Sequence, residues 1–138
     1  MAANAVSSPV DDRDGRHPVP GAVMIDTVDP APLVAFWTAV LGTEVAYETE
    51  DFVWLRRNAP DGIGLAFQRV PEAKSGKNRV HVDFVAPDID EVRARVEELG
   101  GSLLFDRTSG GFRWLVLADP EGNEFCVSAE EEEDAGTA

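Results

Sequence analysis

The sequence predicts an α+β fold made of two βαβββ repeats whose curved sheets enclose a cavity. Three observations predict it. The chain has 138 residues, room for one domain core or for two small repeats that share one. Hydrophobic residues make up 43% and charged residues 28%, the balance of a globular protein, and no apolar run approaches the roughly 18 residues of a membrane span. The third observation is an internal duplication that organises everything from residue 21 to residue 128.

Met24-Ile-Asp-Thr-Val-Asp-Pro30 aligns with His81-Val-Asp-Phe-Val-Ala-Pro87, which sets Asp26 over Asp83, Val28 over Val85 and Pro30 over Pro87. Leu41-Gly42 aligns with Leu99-Gly100, and Phe52-x-Trp54-Leu55 with Phe112-x-Trp114-Leu115. Pro60-Asp61-Gly62 aligns with Pro120-Glu121-Gly122, and Phe67-Gln68 with Phe125-Cys126. The offset drifts only from 57 to 60 residues across these five anchors. Each anchor alone is weak; five in one order make duplication the simplest account.

Each unit opens with a strand, over 22–28 (AVMIDTV) and 79–85 (RVHVDFV), because both segments alternate with period two and are rich in Val. A helix follows. In the first unit Asp29 takes the N-cap and Pro30 the first helical position, Leu33, Phe36, Trp37, Val40 and Leu41 recur at helical spacing, and Gly42 stops the run. In the second, Asp88 with Glu91 three residues on resembles a capping box, Ile89, Val92, Val96 and Leu99 form the apolar stripe, and Gly100 ends it. Three short strands then close each unit, over 44–48, 52–57 and 63–69, and over 102–106, 112–117 and 123–128.

The resulting organisation is an unfolded arm over 1–20, a first unit over 21–70, a linker over 71–78, a second unit over 79–128 and an acidic, solvated tail over 129–138. The linker, PEAKSGKN, is short, polar and flexible in composition. Net charge is −14, which repels phosphate backbones and anionic lipid, so neither nucleic acid nor a membrane is expected as a partner. The single cysteine, Cys126, cannot form an internal disulfide, and the first twenty residues lack the apolar centre of a secretory signal; the cytoplasm is the expected location.

The duplicated arrangement, with DPEGNEF at 119–125, KNRVHVDF at 77–84 and AFWTAVLG at 35–42, resembles the glyoxalase-like branch of the vicinal oxygen chelate superfamily. That superfamily also holds bleomycin-resistance proteins and extradiol dioxygenases. The resemblance spans about residues 21–128, and the DPEGN turn before the final strand is its most specific part. It implies the paired-unit fold, a small organic ligand in the cavity between repeats, and a homodimer. It does not select a reaction, since function lives in the site rather than the scaffold.

Period-two alternation sorts the strand side chains by face. If Leu65, Phe67, Phe125 and Val127 pack on the helices, then Gln68, Glu124 and Cys126 face the cavity, and the first strands add Met24 and Asp26, and Arg79, His81 and Asp83. In metal-dependent members of the family a divalent ion is held by His or Gln from the first strand of each unit and Glu from the last. Here His81 matches, Met24 stands at its partner position, Gln68 replaces one Glu and Cys126 the other. That set is a poor cage for Mg²⁺, Mn²⁺ or Ca²⁺. The expectation is therefore no cofactor; a divalent metal on His81 and Gln68, completed by Asp26 or Asp83, is the alternative.

Two uses of the cavity follow. In an enzyme, a metal-independent lyase, isomerase or cyclase acting on a carbonyl-bearing metabolite, His81 is the acid or base, Asp83 holds its tautomer, and Arg79 and Gln68 polarise the substrate oxygen. In a non-catalytic binder of a drug or secondary metabolite, Phe52, Trp54, Phe112 and Trp114 stack on a planar ligand. A metal-dependent glyoxalase or dioxygenase is the further alternative. A structural reading stands beside these: Arg79, Asp26 and Asp83 as an ion-paired staple between repeats, the four aromatics as core, and Cys126 as a small buried hydrophobe. No nucleotide-binding Gly-rich loop, Gly-x-Ser-x-Gly elbow, Cys-x-x-Cys pair or His-Glu-x-x-His helix occurs.

Overall fold

Residues 15, 16 and 18–129 are described by a computed structural model, and the elements run as two copies of one pattern. The first is β1 (Ala22–Thr27), α1 (Pro30–Leu41), β2 (Val45–Glu48), β3 (Phe52–Leu55) and β4 (Gly64–Arg69). The second is β5 (Val82–Ala86), α2 (Ile89–Glu98), β6 (Ser102–Ser109), β7 (Phe112–Ala118) and β8 (Glu124–Ala129). Most of the arm expected over 1–20 and all of the acidic tail but Ala129 lie outside the described residues.

Each unit forms its own four-stranded sheet, in the order β1-β4-β3-β2 and β5-β8-β7-β6. The first strand pairs in parallel with the last, and the remaining neighbours are antiparallel. The helix that follows the first strand provides the crossover a parallel pair requires. The two sheets remain separate, so the expected enclosure is an open cleft between units.

Helix boundaries follow the local chemistry. Asp29, in an extended conformation at the N-cap of α1, accepts from the Ala31 N–H, Pro30 opens the helix, and Gly42 closes it at φ 62°, a left-handed conformation that glycine adopts without steric cost. In α2 the Asp88 carboxylate accepts from the N–H groups of Asp90 and Glu91, which is the expected cap. The expected reciprocal half of a capping box is not made, since Glu91 instead pairs with Arg95 one turn on at 3.1 Å.

The core is one contiguous apolar cluster. Leu33, Phe36 and Trp37 of α1, Ile89 and Val96 of α2, and the helix-facing side chains Val53, Leu55, Leu65, Phe67, Leu115, Leu117, Phe125 and Val127 are all buried. Burying one such Leu or Phe contributes about 1.5–3 kcal/mol. Helix α1 also joins the units: Trp37 stacks on Phe84 at 5.7 Å and meets Phe125 edge-on at 4.7 Å, both on the second sheet.

Strand β5 begins at Val82, three residues later than the alternation predicts, because Arg79 and Val80 form a bend. Side chains hold this approach in place of ladder bonds. Asn78 Oδ1 accepts the Glu124 N–H at 3.1 Å, and Lys77 pairs with the Glu124 carboxylate at 2.6 Å. Strand β6 runs on to Ser109 because the turn at Gly110 and Gly111, φ 59° and 82°, is a tight hairpin that keeps both strands paired to its edge.

Candidate functional site

The buried Leu65, Phe67, Phe125 and Val127 put one face of each sheet on the helices and leave the other open. On that open face of the first sheet, the register aligns Met24 with Ala66 and Trp54, and Asp26 with Gln68 and Phe52. On the second, Asp83 lies beside Cys126 and Val116, and Val85 beside Ser128 and Trp114. His81 precedes β5 by one residue and shares a face with Asp83.

A cleft of about 460 Å³ runs between the first strands of the two units. Met24 and Asp26 line it from β1, and His81 and Glu124 from the second unit. Trp37 and Phe84 form apolar wall, and the connecting segment contributes Lys74, Lys77 and Asn78. Gln68, Asp83 and Cys126 occupy the open faces without lining this cleft. Arg79 is exposed in the bend, outside it. Phe52, Trp54, Phe112 and Trp114 also lie outside it; Phe112 and Trp114 stack on each other at 5.8 Å, and Trp54 is 37% exposed.

At the mouth of the second sheet His81, Asp83 and Cys126 come together, with donor atoms all within 4.8 Å of one another. His81 Nδ1 is 3.0 Å from Asp83 Oδ1 and 3.8 Å from Cys126 Sγ. Both partners face the same ring nitrogen. A nucleophilic Cys-His-Asp triad needs thiol and carboxylate on opposite nitrogens, so this geometry is not one. Donation of Nδ1–H to Asp83 leaves Nε2 as the basic nitrogen, outside both contacts. Burial, reinforced by the negative charges of Asp83 and Glu124, pushes the Cys126 thiol up to about 11, so it is a protonated, inert group at neutral pH.

The DPEGN turn positions β8 beside this group. Asp119 is buried, and its Oδ1 accepts the N–H groups of Glu121 and Asn123 at 3.0 and 2.9 Å, an Asx-type turn that Gly122 completes at φ 87°. Its Oδ2 accepts the indole N–H of Trp37. Farther off, Arg113 on β7 clamps Asp90 of α2 and Asp106 of β6, and its guanidinium holds both carboxyls below the usual range.

A family model described as the glyoxalase-like domain matches residues 22–128. The chain belongs to the glyoxalase-like domain family. Among solved structures, this glyoxalase-like protein is similar to a glyoxalase/bleomycin resistance protein/dioxygenase family enzyme from Burkholderia phytofirmans PsJN, at 20% identity and a TM-score of 0.65, over 79% of this chain and 96% of that one. It is similar also to the fosfomycin resistance protein FosX from Listeria monocytogenes complexed with Mn(II) and sulfate, at 17% identity and a TM-score of 0.69, over 82% and 90% of the two chains. FosX from Mesorhizobium loti follows at 16% identity and a TM-score of 0.64, over 80% and 91%. No curated protein matches the chain.

A hard ion such as Mn(II) does not fit the glyoxalase-like site. Such an ion takes oxygen-rich shells. The grouped donors here are one imidazole, one carboxylate and a thiol, and Gln68 sits on the other unit's sheet beside Asp26. The connecting segment, read from the sequence as a linker, also lines the cleft, and what sequence reasoning missed is that Lys77 and Asn78 reach Glu124. Their signal was the KN pair immediately before the first strand of the second unit.

Proposed function

We propose that this protein binds a small organic molecule in the cleft between its two units and acts on a carbonyl-bearing one by metal-independent acid–base chemistry at His81. The observation that supports this reading is the His81–Asp83 contact at 3.0 Å beside a cleft that His81 lines. Asp83 takes Nδ1–H, fixes the tautomer and stabilises the imidazolium as Nε2 accepts a proton from carbon next to a substrate carbonyl. The same nitrogen then gives the proton up again: to a neighbouring carbon, which is an isomerisation; to a leaving oxygen on the β carbon as its C–O bond breaks and a C=C bond forms, which is an elimination; or to the oxygen of a second carbonyl in the same molecule as the carbanion adds to its carbon, which is a ring closure. Lys74 and Lys77, which line the same cleft, supply positive charge near the substrate oxygen.

A second reading, sequestration of a flat drug or metabolite without turnover, draws on the stacked Phe112 and Trp114 and the part-exposed Trp54. One ligand screen separates the two. Chelator-treated protein is scanned for thermal stabilisation by carbonyl metabolites and by planar aromatics, and each hit is followed for product formation. Turnover lost in H81A and retained in W114A supports acid–base chemistry. Stabilisation without product, lost in W114A, replaces it with sequestration.

A further inference from the structure

We infer that the helix side of the molecule holds a second small-molecule site, a groove between α1 and α2 that takes one uncharged, largely apolar molecule. This does not rest on the reaction proposed above, and none of its lining residues carries that chemistry. The groove has a volume of about 350 Å³, within the roughly 300–1,000 Å³ of small-molecule pockets.

The hollow follows from how α1 crosses to the second unit. Trp37 lands on Phe84 and Phe125, and the last turn of α1 continues past them with Val40 and Leu41 only partly covered. Val92, also part-exposed, lines the groove from α2. On β5 the helix-facing residue after Phe84 is Ala86, whose methyl group is too short to fill the space between the helices. Apolar walls left apart in this way lose the dispersion contacts of a close-packed core, and a bound apolar molecule restores them. Phe84 and Phe125 line both this groove and the inter-unit cleft, so their rings are the wall between the two.

The polar side chains around the groove select an uncharged occupant, because each is already engaged within the protein. Arg95 holds Glu91 at 3.1 Å. Asp88 Oδ1 accepts the N–H groups of Asp90 and Glu91, and the positive end of the α2 dipole compensates its charge. Asn58 donates to the Leu41 carbonyl at 3.1 Å. Among the described residues that line the groove, no charge is left to pair an ammonium or a carboxylate on the ligand, so bringing either in costs its hydration without return.

The test is titration of the isotope-labelled full chain with cyclohexylmethanol, cyclohexanecarboxylate and cyclohexylmethylammonium, followed in amide correlation spectra. The ring is saturated, which denies it planar stacking on Trp54 or Trp114. The expected result is saturable binding of the alcohol with the largest shifts at Val40, Ala86 and Val92, and affinity about tenfold or more weaker for both ions. V92F and A86L, each filling the hollow, abolish saturation; M24W, which crowds the inter-unit cleft, leaves it unchanged. The site is overturned by largest shifts at Met24 and His81, by binding lost in M24W or kept in both filling variants, by ions that bind as tightly as the alcohol, or by no saturation in the native chain. If a filling variant fails to fold, the shift map of the native chain decides. Because no reaction is followed, failure here leaves the acid–base reading standing, and failure of that reading leaves this site standing.

Discussion

Trp37 of the first unit donates its indole N–H to the buried carboxylate of Asp119 in the second, at 3.0 Å. The bond joins the middle of α1 to the turn that launches β8, and with the Trp37 contacts to Phe84 and Phe125 it fixes how the two units meet. A second polar tie lies beside it, from the Thr27 hydroxyl to the Glu121 carboxylate at 2.5 Å. W37F leaves Asp119 with its other donors and is expected to cost about 1–3 kcal/mol. D119A strands the indole and two backbone N–H groups together and is expected to cost more. Urea unfolding checks the order of the two variants, and equal midpoints would remove the bond from any part in docking.

Gly101 is confined by its neighbours. A Cβ there would stand 2.6 Å from the Ala118 carbonyl oxygen and from Val96 Cγ1, and 3.1 Å from Phe36. Backbone has to shift to admit it. G101A is expected to lower stability by about 1–3 kcal/mol, the usual range for overpacking, measured by denaturant midpoint at unchanged slope.

Cys126 should resist alkylation at pH 7–8 and yield to it as the pH approaches 11. Because burial and then the Asp83 charge raise its folded value, to about 11, above the roughly 8.5 of a free thiol, the neutral thiol favours the fold. That contribution is complete below about pH 8.5 and is lost as the pH rises through about 11. D83N is expected to speed iodoacetamide labelling at pH 9, and C126S to flatten the alkaline loss of stability. Rapid labelling of the native chain at pH 7 contradicts both.

Arg113 gives the acid limb its slope. Its bonds to Asp90 and Asp106 depress both carboxyls, so their contribution is present above the ordinary carboxylate range near pH 4 and disappears as the pH falls through the lower folded values. R113Q is expected to be less stable than the native chain at pH 7 and to converge with it on acidification. Parallel thermal melts at pH 7, 5, 4 and 3 check this.

Much of the fold was legible because its signals are local. Alternation in AVMIDTV and HVDFVA marks strands, Pro30 and Gly42 bracket α1, and the duplication supplies each unit as a check on the other. The late start of β5 was not, since it depends on Lys77 and Asn78 reaching Glu124, 47 and 46 residues away. The same limit governs the site. Period two sets Gln68, Glu124 and Cys126 on the strand faces opposite Phe67, Phe125 and Val127, but of the three only Glu124 lines the cleft: alternation names a face and never says what stands across from it. The packing of Trp37 on the second sheet decides that, and it leaves Trp54 and Trp114 away from the cleft.

The two sheets carry an aspartate at the same place and differ in what lies beside it: Asp26 has Gln68, Asp83 has Cys126, and Met24 stands where the second unit has His81. Two copies that begin alike can diverge independently, one position at a time. A substitution at Met24 reshapes the first unit's side of the cleft and leaves the side chains contributed by the second unit as they are. A directed-evolution library over Met24 and its neighbours on β1 would therefore vary ligand preference in the proposed cleft with His81 held constant.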